Sequence, residues 1–266
     1  MANKIKAVFI DLSGTIHIDN NIIPGAIEAL KKLRSTSAKI KFVTNTTKES
    51  KSSLHNRLIN LGFDIKKDEI FSSLAAAREL VIAKKLNPFL IIDPAAMEDF
   101  EDLIKTNEES NAVVVGLAPD KFNYEKLNEA FRLLMKGASL IAIHEGRYYK
   151  RPDGLALGPG GFIKLLEYSA NVKAEVVGKP TEKFFTTALD GISPSEAVMI
   201  GDDIRDDIGG AQAVGIRGIL VKTGKYRPDD EKLITPPPTK VVSSFVEAVN
   251  EIIYEMNWKT ISRSTN

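Results

Sequence analysis

Short apolar runs alternate along this chain with amphipathic stretches of helical length, the pattern of a parallel sheet covered by helices. Ala7-Val8-Phe9-Ile10 reads as a buried strand, Ala26 to Arg34 as a helix entered through Pro24-Gly25, and Ile40 to Val43 as the next strand. Lys51 to Leu61 is a second amphipathic segment, stopped by Gly62. The last third repeats the rhythm: strand Glu175 to Val177, helix Glu182 to Leu189, strand Ala197 to Ile200, helix Ile208 to Val214, strand Ile219 to Val221. Both ends therefore read as pieces of one doubly wound α/β sheet.

Between them lie helix Ala75 to Lys85, strand Phe89 to Ile92, helix Met97 to Ile104, strand Ala112 to Val115, helix Tyr124 to Met135 and strand Leu140 to Ile143. That block has enough apolar surface to bury a core of its own. The Gly- and Pro-rich stretch Arg147 to Gly161 reads as a linker returning the chain to the first sheet, and Pro236-Pro237-Pro238 as a stiff surface turn. The expected division is a core over 1–74 and 174–258, an inserted domain over 75–173, and a flexible polar tail over 259–266.

Composition narrows the function classes. A length of 266 residues accommodates one large domain or a core with an insertion at ~150 residues per domain. With 36 Lys and Arg against 35 Asp and Glu, there is no surplus of positive charge to gather nucleic-acid phosphates. The absence of cysteine excludes a disulfide scaffold, a thiolate nucleophile and Cys-ligated zinc. No apolar run approaches the ~18 residues of a membrane span, and Asp11 interrupts the N-terminal run before it could serve as a secretion signal. No membrane or nucleic-acid partner is expected, the location is read as cytoplasmic, and self-association into a homo-oligomer is left open.

The chemistry sits where apolar strands end, the place where ligands bind in open α/β sheets. Ile10 is followed by Asp11-Leu12-Ser13-Gly14-Thr15, Val43 by Thr44-Asn45-Thr46, Val177 by Gly178-Lys179-Pro180, and Ile200 by Gly201-Asp202-Asp203. Together these suit phosphoryl transfer. Asp11 is a carboxylate able to attack phosphorus, Gly14 lets the backbone approach the phosphate, and Asp11 with Asp202 could share a Mg²⁺ ion. Thr44 and Asn45 can donate to non-bridging oxygens, and Lys179 supplies a cation for the charge gathered there.

Each motif taken singly has a plainer reading. Thr44 and Asn45 could cap the next helix, Asp203, Asp206 and Asp207 could complement a helix dipole, and Lys179 could be a solvated loop residue. For Asp206 the dipole reading is preferred. Gly178-Lys179 is no Walker A motif, because position 173 is Lys. His17, His55 and His144 show no ligand spacing and read as structural, and Gly158-Pro159-Gly160-Gly161 reads as a hinge turn. Four motifs in order, each at a strand end, outweigh the separate alternatives.

Those four motifs resemble the haloacid dehalogenase-like hydrolases, with Asp11 to Thr15, Thr44-Asn45, Lys179 and Gly201 to Asp207 standing at the family's positions. The insertion, with Thr44-Asn45-Thr46-Thr47, Leu157-Gly158-Pro159-Gly160 and Val177-Gly178-Lys179-Pro180, resembles the C2-capped branch. The resemblance implies a Rossmann-like core with an α/β cap and a Mg²⁺-dependent phosphatase acting on a small phosphorylated molecule. It implies that Asp11 is nucleophile and metal ligand, that Leu12, Ser13, Thr44, Asn45 and Lys179 contact substrate, and that the Ser13 carbonyl, Asp202, and Asp203 or Asp207 serve the metal.

One position departs from the family pattern. Most of its phosphatases carry a second Asp two residues after the nucleophile as general acid and base, and here Ser13 stands there. A serine hydroxyl does not titrate near neutral pH, which keeps a second reading in view: a phosphate- and metal-binding protein with little turnover. A dehalogenase-type reaction at carbon, a third class, would need no metal at the carboxylates.

Overall fold

Val8 and Ile10 point to one side of the first strand and Ala7 and Phe9 to the other, and all four are buried, so a continuous apolar run here means a strand covered on both faces. The computed structural model of the protein describes residues 5–264, with 259–264 as backbone alone. In chain order its strands are β1 (Ala7–Ile10), β2 (His17–Ile18), β3 (Asn21–Ile22), β4 (Lys39–Thr44), β5 (Ile70–Ser72), β6 (Pro88–Ile91) and β7 (Ala112–Val115). These are followed by β8 (Ser139–Ala142), β9 (Tyr148–Arg151), β10 (Gly154–Leu157), β11 (Glu175–Val176), β12 (Ala197–Gly201), β13 (Arg217–Val221) and β14 (Lys240–Val242). The α-helices are α1 (Ala26–Arg34), α2 (Lys51–Asn60), α3 (Ser73–Ala83), α4 (Tyr124–Met135), α5 (Gly160–Ala170), α6 (Glu182–Leu189), α7 (Gly210–Ala213) and α8 (Phe245–Ser264). No helix among the described residues is long and apolar enough to cross a membrane.

The described residues form a six-stranded parallel sheet in the order β14-β13-β12-β1-β4-β5, with Ala7 in register between Ala197 and Lys39. Leu30 and Leu33 of α1, Leu54 and Leu58 of α2, and Phe245 and Val249 of α8 cover the face that receives Val8 and Ile10. Phe184, Phe185 and Leu189 of α6 cover the other with Ala211 of α7. A second parallel sheet, β11-β8-β7-β6, has the same two-sided logic. Val113 and Val115 pack with Leu134 of α4 and Ile163 of α5, while Ala112 and Val114 pack with Leu74 and Val81 of α3 and with Phe100.

Hydrogen bonds bring the carboxyl ends of the two sheets together. The Asn45 side chain beyond β4 accepts the Lys179 amide beyond β11 (3.0 Å), Ser50 donates its amide to the Ala95 carbonyl (2.9 Å), and the buried Thr47 hydroxyl accepts the Leu117 amide beyond β7 (2.9 Å). The motifs at the strand ends of the first sheet therefore face the second.

Several elements differ from the pattern-based expectation, each for a local reason. Met97 to Ile104 is not an α-helix but two 3₁₀ turns, Pro94–Asp99 and Glu101–Leu103. Asp93 caps Ala95 ahead of Pro94, and Arg78 takes the Asp99 carbonyl (2.6 Å) that a longer helix would need. Arg147 to Gly161 is not a plain linker: it contains the antiparallel hairpin β9-β10, turned by Pro152-Asp153, and the start of α5. Glu175–Val176 joins the second sheet beside β8 rather than the first, because Val177 and Gly178 continue the pairing onto Ala142 and Ile143 before the chain departs. Ile208 to Val214 is reached through a π-type turn, Ile204–Gly209, in which the Ile208 amide bonds to the Asp203 carbonyl five residues back. The backbone of α8 continues through Ser264 where a tail from 259 was expected, and residues 265–266 of that tail lie outside the described residues.

Candidate active site

Asp11 follows β1 by one residue, and its amide still bonds to the Ile200 carbonyl (2.9 Å), so the side chain stands on the carboxyl edge of the sheet. The Leu12 carbonyl then accepts the amides of Thr15 and Ile16, closing a tight turn in which Gly14 has φ +95°. Lys179 arrives from the loop after β11. Its ammonium has three protons and finds three acceptors: Asp11 Oδ1 at 2.6 Å, Asp207 Oδ1 at 2.6 Å and the Val43 carbonyl at 2.9 Å. Burial to 2% exposure works against the charged form, yet the Asp11 and Asp207 carboxylates hold the ammonium well above its usual range.

Asp202 closes the other side. Its Oδ2 accepts the Lys225 amide at 2.6 Å, while Oδ1 is buried and has no partner among the described residues. Burial pushes this carboxyl well above the ordinary range, and Asp11 and Asp207 add to the effect although Lys225 opposes it. Burial likewise lifts Asp207 to about 6 against the pull of Lys179. Asp11, Asp202 and Asp207 each offer an oxygen within 4.8 Å of the others. A concentration of hard oxygen donors with one left unbonded fits a small divalent cation such as Mg²⁺. A Cβ at Gly14 or at Gly224 would collide with the Asp202 carboxylate, so both glycines make room for it.

The remaining expected residues fall into place unevenly. Ser13 is half-buried and lines the cavity above Asp11, whereas Leu12 sends its side chain into the apolar core. Asn45 is committed to the main chain of Lys179 through both ends of its amide, and Thr44 bonds to Thr46. Neither caps α2, whose N-cap is Ser50. Asp203 stands apart from the three clustered carboxylates: its Oδ1 caps the amides of Arg205 and Asp206 and its Oδ2 pairs with Lys225 at 2.8 Å. That ammonium overcomes the cost of burial and keeps Asp203 well below the usual carboxylate range. Asp206, read from sequence as a dipole complement, instead lines the cavity, where burial and the charge of Asp203 raise it to about 7.

A cavity of 450 Å³ opens over this floor. The strand ends of the first sheet contribute Asp11, Ser13, Thr44 and Asn45, those of the second contribute Leu117, His144 and Lys179, and the β9-β10 hairpin contributes Tyr148 and Tyr149. His17 and His144, taken from sequence as structural, both line it; Lys225 was not singled out at all. The signal for Lys225 was present, since Val221 ends an apolar strand and Thr223-Gly224-Lys225 follows it just as the other motifs follow theirs. The Thr223 hydroxyl donates to the Gly14 carbonyl at 2.6 Å, tying this fifth strand end to the first.

Comparison with known proteins agrees with this arrangement. Residues 8–106 match the family model described as haloacid dehalogenase-like hydrolase, and residues 176–248 match one described as HAD-hydrolase-like. The chain is 59% identical over 254 residues to the human haloacid dehalogenase-like hydrolase domain-containing protein 2, covering 95% of this chain and 97% of that one. It is 38% identical over 261 residues to the phospholysine phosphohistidine inorganic pyrophosphate phosphatase of Xenopus laevis, with coverage of 95% and 96%. Among solved structures it resembles a 4-nitrophenylphosphatase from Thermotoga maritima with a TM-score of 0.83 and 26% identity, covering 92% and 97% of the two chains. By identity that spans nearly the whole length of its relatives, the chain belongs to the haloacid dehalogenase-like hydrolases, a family of enzymes in which its homologues include phosphatases.

Proposed function

We propose that the protein is a Mg²⁺-dependent phosphohydrolase that admits a small phosphorylated molecule to the cavity and passes its phosphoryl group first to Asp11 and then to water. The observation that carries this reading is the Asp11 carboxylate, held at the cavity floor by Lys179 and adjoined by Asp202 and Asp207. The names of two relatives, a phospholysine phosphohistidine inorganic pyrophosphate phosphatase and a 4-nitrophenylphosphatase, support a small phosphorylated substrate.

Lys179 binds Oδ1 of Asp11, which leaves Oδ2 with only a long 3.4 Å contact to the Thr15 hydroxyl and free to attack. A bond forms between that oxygen and phosphorus while the bond to the leaving group breaks, its electron pair departing with the leaving group. Water then attacks phosphorus of the aspartyl-phosphate, releasing inorganic phosphate and restoring the carboxylate. A Mg²⁺ ion held by Asp11, Asp202 and Asp207, with the Ser13 carbonyl as a further donor, would offset the repulsion between the anionic nucleophile and the phosphoryl oxygens. Lys179, bonded to Asp11 and Asp207, neutralises the same charge. Asp203 serves this floor through Lys225, which it pairs with. The second sheet with its helices, extended past the expected 75–173 to include β11, acts as the cap that closes the cavity and excludes bulk water.

Asp11→Asn tests the reading directly. The substitution keeps the shape of the side chain and removes the nucleophile, so hydrolysis of 4-nitrophenyl phosphate in Mg²⁺ should fall by at least ~10⁴-fold while the melting temperature is retained. Full activity in a folded Asp11→Asn protein would rule out the mechanism.

A further inference from the structure

His144 stands two residues beyond β8, at the place where the second sheet meets the first. The preceding carbonyl, that of Ile143, accepts the Gly178 amide, and the next amide in that segment, of Lys179, is bonded to Asn45. The backbone that carries His144 is therefore tied to the same segment that delivers Lys179. The residue is 7% exposed and forms part of the cavity wall.

Its hydrogen bonding is one-sided. Nδ1 accepts the Gly146 amide at 3.1 Å, which places the ring proton on Nε2 in the neutral tautomer. Nε2 is buried and has no partner among the described residues. Burial, reinforced by the Lys225 and Lys179 charges, holds the imidazole down to about 3, so the ring stays neutral at ordinary pH. An N–H donor kept in place without an acceptor is costly in a folded protein unless something else supplies that acceptor.

We propose that His144 is a substrate-binding residue whose Nε2–H donates a hydrogen bond to an oxygen on the leaving-group portion of the bound substrate, so that the enzyme favours leaving groups presenting an acceptor at that point. This rests on the phosphatase reading of the cavity. The phosphoryl group itself is met at the floor by Asp11 and the Lys179 ammonium bonded to it, while His144 stands in the cavity wall with Leu117, Tyr148 and Tyr149, on the side where the rest of the substrate must lie. Gly146 sets the donor direction: as the next residue but one, its amide consumes the acceptor nitrogen and leaves the ring only able to donate.

The test separates leaving group from phosphate. In wild type, His144→Phe and His144→Gln, kcat/KM for 4-nitrophenyl phosphate and the inhibition constant of inorganic phosphate are measured in Mg²⁺. His144→Phe should lower kcat/KM about three- to tenfold, and His144→Gln, which can place an amide N–H near the position of Nε2, should recover most of it. Inorganic phosphate has no leaving group, so its inhibition constant should change less than about twofold in both variants. Equal losses for substrate and inorganic phosphate, or no loss in His144→Phe, would overturn the assignment. A wild-type protein without turnover overturns the phosphatase reading itself, an outcome distinct from an active wild type that is indifferent to His144.

Discussion

The side-chain amide of Asn45 holds the main chain of Lys179 at both ends, accepting its amide at 3.0 Å and donating to its carbonyl at 3.1 Å. The Lys179 ammonium reaches Asp11, Asp207 and the Val43 carbonyl. The residue after β4 thus positions the cation delivered by a loop 134 positions later in the chain.

Asn45→Ala should consequently act through Lys179. Removing both bonds frees the loop around Lys179, and turnover of 4-nitrophenyl phosphate should fall by ~10–100-fold, the usual cost of losing a group that orients an active-site residue. The expected signature is a loss in kcat with the affinity for Mg²⁺ unchanged. A normal kcat would show that Lys179 is held by its three ammonium bonds alone.

Asp202 should govern the metal. Its unbonded Oδ1 and its place beside Asp11 and Asp207 imply that a bound divalent cation relieves repulsion within the cluster. Mg²⁺ should raise the melting temperature of the wild type, and chelation by EDTA should remove both that rise and the activity. Asp202→Asn should raise the Mg²⁺ concentration needed for half-maximal activity by more than ~10-fold and abolish the thermal shift. An unchanged metal titration would reassign the ligand.

Ser13 should leave the reaction dependent on the leaving group. Without a titrating acid at this position, the barrier grows with the basicity of the departing oxygen. Aryl and acyl phosphates, phosphoramidates and pyrophosphate should outrank simple alkyl phosphates where the cap admits them. Ser13→Asp should raise kcat on an alkyl phosphate by ~10-fold or more and flatten the dependence of rate on leaving-group pKa across a series of esters. An unaltered slope in the folded variant would place the acid elsewhere.

At the opposite end of the sheet, Arg34 forms a two-pronged bond to Glu69 at 2.8 and 2.6 Å, and the Lys66 amide adds a third at 2.8 Å. Burial opposes ionisation of Glu69, but these partners hold its carboxyl below the usual range. A folded-state pKa below the unfolded one means the stabilisation is complete above the unfolded value, ~4.3, and disappears as pH falls through it towards the folded value. Glu69→Gln should lower the melting temperature by ~2–4 °C at pH 7, and the difference should shrink steadily as pH falls below ~4.3. A difference independent of pH would trace the effect to packing.

The apolar runs were sufficient to place β1, β4, β7, β12 and β13, because a strand buried on both faces must be apolar at every position, as 7–10 and 112–115 are. The rule that ligands gather beyond strand ends then singled out Asp11, Thr44, Lys179 and Asp202 without knowledge of any contact. Short edge strands escaped, since Ile70–Ser72 and Lys240–Val242 have too few residues to show a period. So did the hairpin Tyr148–Leu157, whose Pro152-Asp153-Gly154 turn resembles a loop until the two strands are seen paired.

What the sequence by itself determined was therefore the main buried strands, helices such as α1, α2 and α4, and the residues that follow the strands, all of which are legible in local periodicity. What only the tertiary structure decided was who faces whom. Asn45 holds the main chain of Lys179, Asp203 pairs with Lys225 and stands outside the carboxylate cluster, Glu175–Val176 joins the second sheet, and His144 and Lys225 enter the cavity. These depend on contacts between residues tens to hundreds of positions apart. A hydrogen-bond donor's partner and a carboxylate's charge state are set by such contacts, because burial and neighbouring charge exist only once the chain has closed around them.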